Sequence, residues 1–197
     1  MTRNLWLSIL LAAGIVVGGG LGYKAADIAC GLYFKKYGGV VKNGWRYSTE
    51  WGAAVPPSLK AAAFAKHAMF ANIAAEAMHY YVFAESGKKY VIHFKANEIP
   101  EVSAFWSLTM YHGELPYNLV ANPINRYVIS NRTPGIKFND DGSLDIFIQH
   151  QQPSSTQVAN WLPAPDGPFG MLLRAYGPGK ALREGVYAPP RLTPTNN

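Results

Sequence analysis

Three hydrophobic patterns succeed one another along the chain. From Leu5 to Tyr23 the sequence LWLSILLAAGIVVGGGLGY carries no charge, and about 20 such residues suffice for a helix to cross a bilayer. Between Gly38 and Pro57 the pattern loses any period: GGVVKNGWRYSTEWGAAVPP reads as a linker with at most one short strand. Ser58 is a helix N-cap candidate, and the Ala-rich run from Leu59 to about Tyr80 reads as a helix. Leu59, Ala63, Phe64, His67, Phe70 and Ile73 or Ala74 follow i, i+3, i+4 spacing and form one apolar face, expected to pack on a sheet.

From Tyr81 onward the period is two. Tyr90, Ile92 and Phe94 alternate with Val91, His93 and Lys95, and the ESGKK segment before them is a turn that would pair them with residues 81–84. Further runs of strand length are residues 104–111, 126–130, 144–150 and 169–176, with Leu144, Ile146 and Ile148 on one face. Turns fall at Asn122-Pro123, Thr133-Pro134-Gly135, Asp141-Gly142 and Asp166-Gly167-Pro168, and Asp141-Gly142 is a hairpin signal between Phe138 and Leu144. The pattern predicts a mainly β domain with one packed helix, an antiparallel β-sandwich or jelly-roll-like domain, preceded by an N-terminal transmembrane helix. The expected organisation is a membrane anchor over residues 1–25, a juxtamembrane linker over 26–57, the β-rich domain with its helix over 58–192 and a tail over 193–197.

Composition sharpens this. With 49% hydrophobic and 15% charged residues the chain is too apolar to be disordered. Its net charge of +6 is scattered rather than striped, which argues against nucleic-acid binding. Cys30 is the only cysteine, so there is no internal disulfide and no cysteine metal cluster. An uncleaved anchor is expected. A cleavage after Ala25 or Ala29 would put Tyr23 or Asp27 at the −3 position, and Asp27 interrupts the apolar triplet a lipoprotein signal needs before Cys30. The short basic start followed by an apolar run predicts a single-pass membrane protein with its domain on the periplasmic side. Gly14, Gly18 and Gly22 share one helix face where two helices could approach closely as a homo-oligomer.

The segments FWSLTMY (105–111), NPINRYVISNRTPG (122–135), DGSLDIFIQHQQP (141–153), NWLPAPDGPFGMLLRAYGP (160–178) and YAPPRL (187–192) together resemble the bacterial family called domain of unknown function 1214. The resemblance implies a β-rich envelope protein of the short, membrane-anchored type lacking the companion 1254 domain. It implies no mechanism. His112 departs from the family pattern, in which an Asp commonly follows the Tyr.

No catalytic motif stands out. There is no G-x-S-x-G elbow, and Ser107, His112, His150 and Asp145 could form a triad only if the fold converged them. The five histidines show no metal-ligand spacing, so no metal and no cofactor is expected. Arg126 and Arg174 stand inside strands, where a guanidinium must be paired or face a cleft. With Trp106, Tyr111, Asn160 and Trp161 they are the candidate ligand-binding residues, suited to an anionic small molecule or a glycan; the competing reading has the arginines tying turns together and Trp161 filling the core. The functional expectation is a membrane-anchored binding or scaffolding domain. The alternative is an envelope hydrolase or carbohydrate-active enzyme built from strand arginines, aromatics and carboxylates.

Overall fold

The computed structural model describes residues 2–53, 58–67, 72–85, 87–113 and 118–195. They separate into two units, one of residues 1–38 and 54–70, the other of residues 39–53 and 71–197.

In the first unit α1 spans Thr2–Tyr37. The helix continues past Ala25 because residues 24–37 contain no proline and are rich in Ala and other helix formers. Its 36 residues make it about 54 Å long, against a hydrocarbon core of about 30 Å. Leu5–Tyr37 is long and apolar enough to cross a membrane, and its most apolar window is unburied. A second helix, α2, spans Leu59–His67. Ser58 caps it, its hydroxyl accepting the Ala61 N–H at 3.0 Å.

The buried face of α2, Ala63 and Phe64, meets α1 where the sequence assigned it to a sheet. Phe64 sits edge-on to Tyr33 and Phe34 at 6.4 and 6.3 Å, His67 stacks on Phe34 at 4.9 Å, and Lys66 pairs with Asp27. The predicted helix also overran: Ile73 lies in irregular backbone, Ala74 in a turn and residues 77–80 in a strand, while Phe70 lies outside the described residues.

The second unit holds ten strands among its described residues: β1 Val40–Lys42, β2 Trp45–Tyr47, β3 Ala77–Ala84, β4 Lys89–Phe94, β5 Val102–His112, β6 Val128–Ser130, β7 Leu144–Gln149, β8 Trp161–Pro163, β9 Phe169–Pro178 and β10 Leu192–Thr195. They form a six-stranded sheet ordered β1-β2-β3-β9-β5-β6 and a four-stranded sheet ordered β10-β4-β7-β8. Every pairing is antiparallel except β7 with β8.

Two regions read as linker and tail are ladder strands. β1 and β2 form a hairpin whose Asn43 and Gly44 both have positive φ, 55° and 86°, as a type I′ turn requires. β10 forms an edge of the four-stranded sheet by pairing with β4. Two predicted hairpins do not form. Between β3 and β4 the chain passes from one sheet to the other, because β3 pairs with β9 over eight residues while β4 pairs with β7. The Asn139–Ser143 turn closes as predicted, Gly142 adopting φ 80°, yet residues 137–138 do not pair with β7.

Core side chains come from one face of each sheet. Met78, Tyr80, Leu108, Met110, Met171 and Leu173 are buried on one side, and Ile92, Phe94, Leu144, Ile146 and Ile148 on the other. The two sets meet where Phe94 stacks on Trp106 at 6.2 Å and Tyr90 sits edge-on to Phe169 at 6.0 Å. The C-terminal segment is laced onto this core, with Trp45 Nε1 donating to the Pro190 carbonyl at 2.8 Å and Tyr47 to that of Gly185 at 3.1 Å.

Candidate functional site

The six candidate residues separate into three places. Trp106 is 1% exposed in the intersheet core, where it cannot meet a ligand. Arg126, Asn160 and Trp161 come together as a clamp. The half-buried Arg126 donates through Nη1 to the carbonyls of Val158, Ala159 and Trp161 at 2.8, 3.1 and 2.9 Å. Asn160 accepts from the Lys137 N–H at 2.8 Å and donates to the carbonyls of Lys137 and Asp145. Trp161, fully buried, donates its indole N–H to the Gln149 carbonyl at 2.8 Å. These contacts tie the 122–127 and 137–139 segments to β7 and β8, and each of them ends on backbone.

Arg174 and Tyr111 come together differently, on the face of the six-stranded sheet directed away from the core. Strand alternation puts Ser107, Thr109 and Tyr111 of β5 on this face. Cross-strand register then sets Arg174 of β9 directly between Ser107 and His79 of β3. The guanidinium donates to Thr109 Oγ1 at 3.2 Å and to the Tyr111 hydroxyl at 2.9 Å, and lies 5.9 Å from the Tyr111 ring centroid. Ser107, Thr109, Tyr111 and His79 are all 7 or 8% exposed.

No carboxylate of the described residues lies within ion-pair distance of Arg174. Burial, and after it the Arg174 charge, lower the His79 pKa to about 4, so that ring is neutral at pH 7. Among the described residues, Arg174 therefore meets neutral side chains and no carboxylate. Arg174 keeps further N–H groups beyond the two it uses. Such an arrangement can hold an anion by charge-assisted hydrogen bonds.

Ser107, Thr109 and His79 were not among the candidate ligand-binding residues. The alternation in FWSLTMY could have supplied the first two. His79 was hidden by the reading of 77–80 as helix.

The remaining histidines and carboxylates do not converge. His93 Nδ1 bonds Asp145 Oδ1 at 2.7 Å on the four-stranded sheet, and His150 faces the Ala164 carbonyl at 3.1 Å. Ser107 lies on the other sheet, so the Ser-His-Asp set is not assembled. Among the described residues no three His, Cys, Asp or Glu side chains gather as metal ligands.

Comparison with known proteins agrees with this architecture. Residues 82–180 match the family model described as a protein of unknown function, DUF1214. The VPA0106 protein from Vibrio parahaemolyticus has a solved structure similar to 70% of this chain, with a TM-score of 0.57 and 28% identity. An uncharacterised protein from Burkholderia cenocepacia is similar over 61% of the chain at 15% identity and a TM-score of 0.42. This chain spans 35% and 29% of the lengths of those two proteins. No curated protein matches it.

Proposed function

We propose, for a chain that belongs to the DUF1214 family, that it is a membrane-anchored binding domain whose Arg174 cluster takes a small anion bearing a carboxylate or phosphate group. The observation that carries this reading is a half-buried guanidinium whose hydrogen-bond partners are two neutral hydroxyls of the adjacent strand β5. Water cannot fully solvate a cation at such a site, and an uncompensated charge there costs stability unless a counter-ion arrives.

The apolar length of α1 supports anchoring through residues 5–23. The short basic start supports a periplasmic domain. Close approach of two anchors is supported by Gly14, Gly18 and Gly22, where an added Cβ would meet nothing within 4 Å. The envelope scaffold and the bound anion belong together in this reading, the domain holding an anionic ligand near the membrane surface.

The test uses the full chain in detergent, heated with phosphate, sulfate, acetate or succinate, against chloride at matched ionic strength. At least one of these anions should raise the unfolding midpoint saturably, because a ligand at 100 times its Kd stabilises by about 2.7 kcal/mol. Arg174→Met should abolish the shift. Equal shifts in both proteins, or no anion-specific shift in either, would overturn the reading.

A further inference from the structure

We infer a second ligand site, for a saccharide, in the groove on the outer face of the four-stranded sheet. The groove encloses about 390 Å³ between the 137–140 turn and the 156–160 segment, within the range of small-molecule sites. Phe147 of β7 is half-buried in its floor, and Phe138 stands 49% exposed in its wall. A large exposed ring on so short a turn calls for an explanation, since the surrounding backbone is rigid.

That rigidity is built in. Asn160 bonds both backbone groups of Lys137. Asn139 N–H donates to the Ser143 carbonyl at 2.8 Å, and its side chain donates to Ser143 Oγ and Asp145 Oδ2, both at 2.9 Å. The walls are thus set before any ligand arrives, which lowers the ordering cost of binding.

The polar groups decide the ligand class. Asp145 is oriented by His93 and Asn139. Asp140 has no hydrogen-bond or ion-pair partner among the described residues. Gln157 accepts from Ser154 Oγ at 3.1 Å through its oxygen, which leaves its NH₂ as a donor, and Lys137 also lines the groove. Carboxylate acceptors and nitrogen donors thus line the same groove as two aromatic rings. Two carboxylates against one ammonium disfavour an anion, and an apolar ligand would strip water from all three. A pyranose satisfies every condition: its hydroxyls both donate and accept, and its C–H face lies flat on an aromatic ring.

The experiment applies the full chain, in a detergent without a sugar headgroup, to an array of pyranose oligosaccharides, and follows the strongest binder by calorimetry. We expect at least one glycan to bind. Phe138→Ala and Asp140→Asn should each weaken it about tenfold, the loss of roughly one stacking contact or one charge-assisted hydrogen bond. Phe138→Trp should preserve binding, and Arg174→Met, on the opposite sheet, should leave it unchanged. Absence of binding across the array, or binding that survives both Phe138→Ala and Asp140→Asn in folded protein, would overturn the inference. Because Arg174→Met is silent in this assay, failure here is separable from failure of the anion reading.

Discussion

Arg126 and Arg174 are two half-buried guanidinium groups without carboxylate partners, and the difference lies in what surrounds them. Arg126 points three hydrogen bonds at backbone carbonyls 32 to 35 residues away in sequence. Those carbonyl dipoles solvate the cation and in exchange are fixed in place, so removing the arginine would withdraw a charged donor from all three. Arg174 instead meets hydroxyls on its neighbouring strand. A hydroxyl loses little when such a donor is withdrawn, because it can rotate and keeps a proton to offer elsewhere. One arginine fastens backbone segments distant in sequence; the other meets side-chain hydroxyls of a single neighbouring strand.

The largest effect should come from Arg126→Ala. Loss of three charged hydrogen bonds onto backbone predicts destabilisation of about 3 to 5 kcal/mol, measured by urea unfolding of the full chain in detergent. Arg126→Lys should recover part of it. A loss below about 1 kcal/mol would erase the contrast between the two arginines.

Asn160→Ala comes next, at about 2 to 3 kcal/mol, since the residue is 6% exposed and makes three backbone hydrogen bonds. Asn160→Asp should cost at least as much, because it presents oxygens to the carbonyls of Lys137 and Asp145. If Asp is tolerated, the amide is not the clamp described above.

The pH dependence sharpens the Arg174 side. The folded pKa of His79 is lowered to about 4, while in an unfolded chain it is about 6.5. Below 6.5 the unfolded chain takes up the proton first, so stability is complete above that pH and falls between about 6.5 and 4, by roughly 3 kcal/mol in all. Replacing His79 with Phe should flatten this window in a urea series. An anion bound at Arg174 should also flatten it, by making the protonated ring easier to form. A His79→Phe protein with unchanged slope between pH 4 and 6.5 would remove His79 from the account.

Much of this was legible in the sequence. Period-two alternation located the strand at residues 144–149, whose burial alternates residue by residue, and runs of strand length located those around 105–111 and 169–176, where both faces are largely buried. Long-range pairing was not legible. Residues 77–80 look helical in an Ala-rich context and become strand because β9 offers eight consecutive partners, a tertiary effect that overrides propensity. Turn residues told where the chain reverses, not which sheet it enters afterwards, so two predicted hairpins are instead a sheet crossing and an isolated turn. The same limit applies to the sites. Arg126 and Arg174 were visible as strand-region arginines, but only the partners separate them, and those partners are set by fold. Asn43-Gly44 is the reverse case: a strong hairpin signal lay within a stretch dismissed as linker for want of a period.

The smallest predicted effect tests the central claim most directly: the thermal unfolding midpoint of Arg174→Met in anion-poor buffer, compared with the unaltered chain. If Arg174 is held for a ligand, a methionine of similar length removes an uncompensated charge, and the midpoint stays the same or rises, corresponding to a change within about 1 kcal/mol. A fall of the size expected for Arg126→Ala would contradict the account and make Arg174 a second fastening of the fold.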